Sequence, residues 1–166
     1  MQIETERLIL RKHSTEDYER FWNMITDPIS KRFTGGVTTL TYAQRLKIFC
    51  EDININFPGN NVEFAVVEKS SMLYIGYCGF RECEYLDGIE LFYGYCRDSW
   101  GNGFGYEAAA STVAYYFNNT EHNSLVAACN MENLASVNIL KRLGFKFVKQ
   151  VIINGMTVDK YELYKS

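Results

Sequence analysis

Three glycines alternate in the segment WGNGFGYEA, at Gly101, Gly103 and Gly105, and an apolar helical stretch follows them directly. Alternating glycines let the backbone bend sharply and approach a ligand closely, because no Cβ atom stands in the way. The first N–H groups of a helix lack intrahelical partners, and the helix dipole is positive at that end. The segment therefore predicts a phosphate or pyrophosphate site, although the same glycines would also suit a plain strand-to-helix turn.

Two other phosphate motifs fit this segment less well. No G-x-x-x-x-G-K-[ST] sequence occurs, which argues against a Walker-type NTPase. The run G-N-G-F-G is one residue shorter than the dinucleotide fingerprint G-x-G-x-x-G, and the strands before it look like an antiparallel meander. Glu121 lies near the spacing of a ribose-binding acid, so a dinucleotide-dependent oxidoreductase stays open as an alternative.

A second motif begins at Asn133, 30 residues after Gly103. Asn133 is a good helix N-cap, Gly144 is a good stop, and the basic pair Lys141 and Arg142 suits the negative end of a helix. Taken alone, the motif predicts an ordinary capped helix. A glycine loop and a capped helix with a strand between them are together a more specific signal than either motif alone.

The elements around these motifs follow from hydrophobic period and turn residues. Capping pairs Ser14/Asp17 and Thr41/Gln44 begin two helices, the loop NFPGNN ends the second, and Asn154-Gly155 predicts a type I′ hairpin. The pattern predicts strands over 7–12, 62–68, 72–82, 89–96, 124–130, 145–153 and 156–164, and two further helices over 104–117 and 133–143. The order β-α-α-β-β-β-α-β-α-β-β predicts a mixed sheet with helices on its faces.

Composition limits the class of protein. The 166 residues, 47% hydrophobic and 22% charged, predict one folded domain over 1–166. The net charge of −3 argues against non-specific nucleic-acid binding, and the chain has no apolar run long enough for a membrane span. Five scattered cysteines without metal-ligand spacing predict free thiols and no metal site, and the N-terminus lacks the pattern of a secretory signal, so we expect a cytoplasmic protein.

The segments TERLILR, WGNGFGYEA and NLAS with LKRLGFKF resemble, in order and spacing, the GNAT superfamily of acetyl-CoA-dependent N-acetyltransferases. The resemblance is to the RimJ/RimL-like branch, which includes ribosomal-protein N-terminal acetyltransferases, and it runs from about residue 3 to the C-terminus. It implies an α/β (α+β) acyl-CoA N-acyltransferase fold with a mixed, mostly antiparallel central sheet. It also implies acetyl transfer from acetyl-CoA, as cosubstrate, to a protein N-terminus or small-molecule amine in a ternary complex, by a monomer or a homodimer.

The resemblance also implies site residues. In the family the glycine loop wraps the pyrophosphate of coenzyme A, the preceding strand binds the pantetheine arm through its backbone, and an Asn with a small polar partner contacts the pantetheine end. The corresponding residues are Gly101, Asn102, Gly103, Phe104, Gly105 and Tyr106 for the loop, Tyr95, Cys96 and Arg97 for the strand, and Asn133 with Ser136. Lys141 and Arg142 are further candidates near the 3′-phosphate.

The catalytic groups are less apparent. Leu140 stands where many superfamily members carry a proton-donating Tyr, so Ser136 becomes the candidate acid. A carboxylate should accept the proton of the amine; Glu90 is the first choice, followed by Glu84 and Asp98, and a plain structural role for Glu90 stays open. Cys96 near a helix start offers a covalent route as an alternative. A non-catalytic acyl-CoA sensor is the other alternative, and the acidic net charge mildly favours a cationic acceptor.

Overall fold

The computed structural model describes residues 2–54 and 60–166, without the side chain of residue 54. Its centre is an eight-stranded sheet in the order β1-β2-β3-β4-β5-β6-β8-β7. The strands are β1 (Gln2–Glu4), β2 (Leu8–Arg11), β3 (Val62–Glu68), β4 (Tyr74–Cys83), β5 (Gly88–Tyr95), β6 (Ser124–Cys129), β7 (Lys146–Ile153) and β8 (Met156–Tyr164). The helices are α1 (Tyr18–Thr26), α2 (Pro28–Lys31), α3 (Tyr42–Asn54), α4 (Phe104–Asn119) and α5 (Leu134–Leu143).

The pairing of β5 with β6 is the irregular point of the sheet. The other neighbouring strands run antiparallel, whereas β5 and β6 are parallel and are connected through α4. Within the described chain, Glu90 with Val126 is the one residue pair aligned between them. Both residues lie near the start of their strands, so β5 and β6 separate toward their carboxyl ends.

Each face of the sheet has its own apolar cluster. On one face, α4 and α5 bury Ala108, Ala109 and Leu140 against β-strand residues such as Leu91 and Leu125. The alanines of α4 let this helix lie close to the sheet. Because much of the helix is covered in this way, its sequence contains a single charged residue, Glu107. On the other face, α1 and α3 cover β3 and β4, and the cluster is mostly aromatic: Tyr18 and Phe21 come from α1, Phe49 from α3 and Tyr74 from β4.

The local signals for helix starts and turns are confirmed. The N–H of Ser14 donates to Asp17 at 2.8 Å, and the N–H of Thr41 donates to Gln44 at 2.9 Å. Asn154 and Gly155 both have positive φ, 50° and 78°, as a type I′ turn requires. The predicted loop NFPGNN lies mostly outside the described residues.

Two elements were not predicted. The three-residue strand β1 pairs with β2 at the sheet edge and is too short to show a period. Helix α2 has four residues, with Pro28 in its first position and Asp27 accepting hydrogen bonds from the N–H groups of Ile29 and Ser30. Such short elements depend on one cap and on their neighbours more than on a repeating pattern. None of the helices in the described residues is both long and apolar enough to span a bilayer.

Candidate active site

The glycine loop has the backbone that its sequence predicts. Gly101 and Gly103 have φ of 79° and 80°, in the left-handed region that side chains disfavour. Gly103 is the N-cap of α4 and offers no side-chain oxygen to the first turn. Gly105 is required for a different reason, since a Cβ atom there would lie 3.0 Å from Ile139 Cδ1 and 3.1 Å from Tyr95 Cε2. The loop therefore exposes backbone N–H groups while α4 packs closely on its neighbours.

Side chains within the loop hold its shape. The Asn102 amide donates to the carbonyl oxygens of Ser99 and Trp100, at 3.2 Å each. The indole N–H of Trp100 donates to the carbonyl of Tyr95 at 2.9 Å. Asn102 therefore stabilises the loop through its side chain, and the carbonyl of Tyr95 already has a donor.

The start of α4 is fixed from a distant part of the chain. Glu107 accepts hydrogen bonds from the Thr5 hydroxyl at 2.5 Å, the Arg7 N–H at 2.9 Å and Arg7 Nε at 2.7 Å. Burial raises the pKa of Glu107, but these hydrogen bonds and the Arg7 charge outweigh it, so the net pKa lies below its ordinary value. Arg7 Nη1 also donates to the carbonyl of Asn102 at 2.9 Å. The TERLILR segment thus clamps the glycine loop, a role that the sequence did not reveal.

A cleft of about 1060 Å³ follows the opening between β5 and β6. It begins at the glycine loop, passes Glu90, Tyr93 and Ser136, and continues over the α1–α3 face of the sheet. Of the predicted site residues, these border it: Glu90, Tyr95, Gly101, Gly103, Phe104, Gly105, Tyr106, Asn133, Ser136 and Arg142. The structure therefore brings both sequence motifs and both candidate catalytic residues to one cavity.

Two hydroxyl groups meet on the α4–α5 side of this cleft. Tyr93 Oη and Ser136 Oγ share a hydrogen bond of 2.8 Å. Asn133 caps α5 by accepting the Ser136 N–H at 3.3 Å, which fixes the first turn. Burial raises the pKa of Tyr93 far more than the Ser136 hydrogen bond lowers it, so the phenol stays protonated. No sequence signal distinguishes Tyr93 from the other aromatic residues of the chain. Leu140 is a buried core residue, as its type suggests.

Glu90 lies on the opposite face of β5 from Tyr93, because their positions differ by three and side chains alternate along a strand. Its side chain is only 11% exposed, and Arg81 reaches Glu90 Oε2 through both Nε and Nη2 at 2.9 Å. Arg81 also lies over the Phe92 ring, 4.6 Å from its centroid. The arginine pairs with this largely buried carboxyl group and fixes its position at the α1–α3 side of the opening.

Cys96 and Arg97 are not brought to this cleft. The Cys96 N–H donates to Ile75 at 2.8 Å, and its carbonyl accepts from the Ser99 N–H at 3.0 Å, so neither group is available to a ligand. The Cys96 side chain packs in the α1–α3 cluster, where burial raises the pKa of its thiol to about 11. Both residues border a second, smaller pocket with Arg20 and Asp98. The covalent route through Cys96 therefore lacks support from this geometry.

The remaining candidates also lie elsewhere. Asp98 is paired with Arg20 at 2.8 Å, and Glu84 is exposed on the turn after β4. Arg142 is the member of the basic pair at the cleft, with its Cζ 3.8 Å from the Tyr106 ring centroid. In the ranges 2–54 and 60–166, no group of three or more His, Cys, Asp and Glu residues has metal-site geometry.

The far end of the cleft is a polar pocket that the sequence did not indicate. We call it the α3 chamber and define it by His13, Arg45, Phe49, Glu63 and Tyr77, which all border the cleft. The His13 side chain is 6% exposed, and its Nε2 lies 2.9 Å from Glu63 Oε1, but the contact lacks hydrogen-bond geometry. Burial, followed by the Glu63 charge, raises the pKa of Tyr77 to about 12.

Comparison with known proteins agrees with this architecture. The model of the "Acetyltransferase (GNAT) domain" matches residues 7–146, most of the chain. This chain belongs to the GNAT acetyltransferase family. It is 30% identical to an uncharacterised N-acetyltransferase, p20 of Bacillus licheniformis, over 86% of this chain and 80% of the relative. The predicted family and acyltransferase class are confirmed. The alternative of a dinucleotide-dependent oxidoreductase is wrong, because the chain matches the acetyltransferase model and its glycine loop follows antiparallel strands.

Solved GNAT structures share the fold at low identity. The acetyltransferase from Salmonella typhimurium that modifies the N-terminal serine of ribosomal protein L7/L12 superposes with a TM-score of 0.79, at 15% identity and 100% coverage of both chains. Spermidine N-acetyltransferase from Vibrio cholerae, in complex with CoA and spermine, gives 0.79 at 17% identity and 96% coverage of both. The predicted sheet and helix layers are therefore confirmed, and proteins with the same fold act on different amines.

Proposed function

We propose that this GNAT protein transfers the acetyl group of acetyl-CoA to a primary amine, with both substrates bound at once. The observation that carries the proposal is the opening between β5 and β6, which joins the glycine loop on one face of the sheet to the α3 chamber on the other. A thioester can enter from one side and an amine from the other. The Vibrio cholerae structure with bound CoA supports the same choice of acyl donor.

The residues around the loop suit a diphosphate. Because Gly103 caps α4 without a side-chain acceptor, the N–H groups of Phe104, Gly105 and Tyr106 are left for a ligand anion. A Cβ atom at Gly101 would meet nothing within 4 Å, so the loop backbone is accessible. Arg142, stacked on Tyr106, supplies positive charge at the same end. Beyond Glu90, the edge of β5 that faces β6 is left for the pantetheine amides.

The acetyl transfer needs a proton acceptor for the amine. As the amine nitrogen bonds to the thioester carbon, Glu90 takes its proton, directly or through a water molecule. Arg81 contacts Glu90 Oε2, and no donor among the described residues contacts Oε1. That second oxygen is available to the amine, while the arginine holds the carboxylate in place.

The departing sulfur needs a proton when its bond to carbon breaks. Ser136 donates this proton in our proposal, and Tyr93 replaces it with its own hydroxyl proton across their 2.8 Å contact. Tyr93 takes a proton from solvent in the cleft in the same relay, so no buried phenolate is left, and Glu90 releases the proton of the amine to solvent. The raised pKa of Tyr93 keeps that proton in place before reaction. The hydroxyl pair thereby does what Leu140 cannot, which favours an enzyme over a sensor that only binds acyl-CoA.

The proposal is tested with coenzyme A and a thiol assay. We expect calorimetry to show heat on titration with coenzyme A, and acetyl-CoA to release free thiol only when an amine is present. Amines of several classes should be tried, including polyamines, amino acids and short peptides. Absence of both heat and thiol release would contradict the proposal, whereas heat without release would support the sensor alternative.

A further inference from the structure

We infer that the amine acceptor carries an anionic group, such as a carboxylate, and that Arg45 and His13 of the α3 chamber bind this group. The inference rests on the proposed acetyl transfer and adds the substrate class. It differs from the cationic acceptor that the net charge of the whole chain favours.

The first observation is a pair of buried nitrogen atoms that have no hydrogen-bond partner. Arg45 Nη1 and His13 Nδ1 are both inaccessible to solvent and have no hydrogen-bond partner among the described residues. Both side chains border the cleft, and that of His13 is more than nine-tenths buried. Buried polar atoms in native proteins are almost always hydrogen-bonded, so two unpartnered nitrogens at a cleft indicate a place where a ligand supplies the partner. The Arg45 guanidinium is always a donor, and His13 donates through Nδ1 when that nitrogen carries a proton.

The protein's own carboxylates do not satisfy Arg45. Asp52 Oδ2 is 3.8 Å from Arg45 Nη1, too long for a hydrogen bond, and the Asp52 side chain is 51% exposed. Glu63 contacts His13 and not Arg45, and its side chain is 32% exposed. Arg45 is instead held by stacking, with its Cζ 4.8 Å from the Phe21 ring centroid. The guanidinium is positioned by packing and is left with a donor to offer.

The second observation is the charge of the cleft. The whole chain has a net charge of −3, yet basic side chains outnumber acidic ones along the cleft, six to four. A site for a polyamine would need the opposite balance. Lys31, which lies on the α1–α3 side, has its pKa lowered by burial and forms no ion pair within the described ranges. The basic residues are Lys12, Lys31, Arg32, Arg45, Arg81 and Arg142, and the acidic ones are Asp52, Glu63, Glu90 and Glu132.

The third observation concerns what lies between the two ends. The Tyr77 ring lies over Gly94 of β5, where a Cβ atom would come within 2.8 Å of the phenol oxygen. Tyr77, Glu90 and Arg45 all border the same cleft. Aromatic walls between a base and a cation fit an acceptor with its amine at Glu90, a hydrocarbon spacer and an anion at Arg45.

A series of ω-amino acids tests this inference. We would measure kcat/KM for compounds with two to six carbons. Each acid would be compared with three compounds of equal length: its amide, the diamine and the aminoalkyl phosphonate. Removal of one charge-assisted hydrogen bond should cost about ten- to a hundredfold. We therefore expect the best acid to exceed its amide by at least about tenfold, and the phosphonate series to show whether the chamber accepts phosphate-like anions as well.

Variants of α3 make the test specific. Arg45→Gln should reduce the ratio of acid to amide toward one, and Arg45→Lys should keep part of it. Lys47→Gln removes a cation from the exposed side of the same helix and should leave the ratio unchanged. Diamines that match or exceed the acids, or an acid preference that survives Arg45→Gln, would overturn the inference.

Failure of the proposed function would give a different result. In that case no amine of the series releases thiol. The chamber would then be tested by calorimetric titration of the CoA-saturated protein with 5-aminovalerate. Binding that is lost in Arg45→Gln would still support an anion site there, whereas absence of binding, or binding unchanged in Arg45→Gln, would overturn the inference too.

Discussion

The two ends of the cleft are built in different ways. At the glycine loop the ligand-facing groups are backbone N–H donors, and their position depends on the positive φ of Gly101 and Gly103. In the α3 chamber they are polar and charged side chains from separate parts of the chain: His13 from the segment after β2, Arg45 from α3, Glu63 from β3 and Tyr77 from β4. Binding at the loop should therefore tolerate many side-chain changes but few backbone changes, and the chamber should show the reverse.

The largest expected effect separates chemistry from binding. Glu90→Gln keeps the shape of the side chain but removes the proton acceptor, so we expect kcat to fall about 10²- to 10⁴-fold. The dissociation constant for coenzyme A, measured by calorimetry, should change little because Glu90 lies on the other face of β5. A kcat within about twofold of the wild type would assign Glu90 a structural role only, as a partner of Arg81.

The next variant tests the backbone rule at the loop. Gly103→Ala places a side chain at φ 80°, which costs about 1 to 2 kcal/mol. The free loop should relieve this strain by leaving that conformation, and because coenzyme A binding requires the conformation, the affinity should fall roughly tenfold. Gly155→Ala is a matched control, since its φ is 78° and a Cβ atom there would meet nothing within 4 Å. Equal coenzyme affinities for the two variants would contradict the role of the loop.

The hydroxyl pair should have a smaller effect. Tyr93→Phe leaves Ser136 in place and removes its proton source, and we expect kcat to fall about tenfold with KM for acetyl-CoA nearly constant. Ser136→Ala should lower kcat at least as much, and the double variant should be no worse than Ser136→Ala alone. Additive losses measured by steady-state kinetics would show that the two residues act separately.

The smallest effect concerns stability and pH. Glu107→Gln should lower the free energy of unfolding at pH 7 by about 1 to 2 kcal/mol, because the amide keeps one acceptor oxygen but loses the other and the negative charge that strengthens the hydrogen bonds from Thr5 and Arg7. Its folded pKa is below the ordinary value of 4.5. The contribution is therefore complete above pH 4.5 and is lost as the pH falls through the lowered folded pKa.

Denaturant unfolding at several pH values measures this difference. The difference in the free energy of unfolding between the wild type and Glu107→Gln should disappear at acid pH. Glu51→Gln, an exposed change on α3, should behave like the wild type throughout. A difference that is independent of pH would mean that packing, and not charge, causes the stabilisation by Glu107.

The same contrast explains what could be predicted from the sequence. The loop and the α5 cap depend on residues a few positions apart, so Gly101, Gly103 and Asn133 reveal them directly. The clamp of Glu107 by Thr5 joins residues 102 positions apart, and the α3 chamber joins His13 to Tyr77. Such sites depend on strand register, which one sequence does not encode locally. For Cys96 the sequence suggested a site residue that the structure does not bring to the cleft. Its position next to the loop did not determine which face of the sheet its side chain would take.

In the part of the chain that the structure describes, the two halves of the sheet meet at the pairing of Glu90 with Val126. Strands β1 to β5 come from residues 2–95 and strands β6 to β8 from residues 124–164, so each block of the sheet is continuous along the chain. Only α4 and its connections pass from one block to the other. A cut between α4 and β6 would leave two fragments whose reassembly regenerates the cleft, and acetylation would then report their complementation.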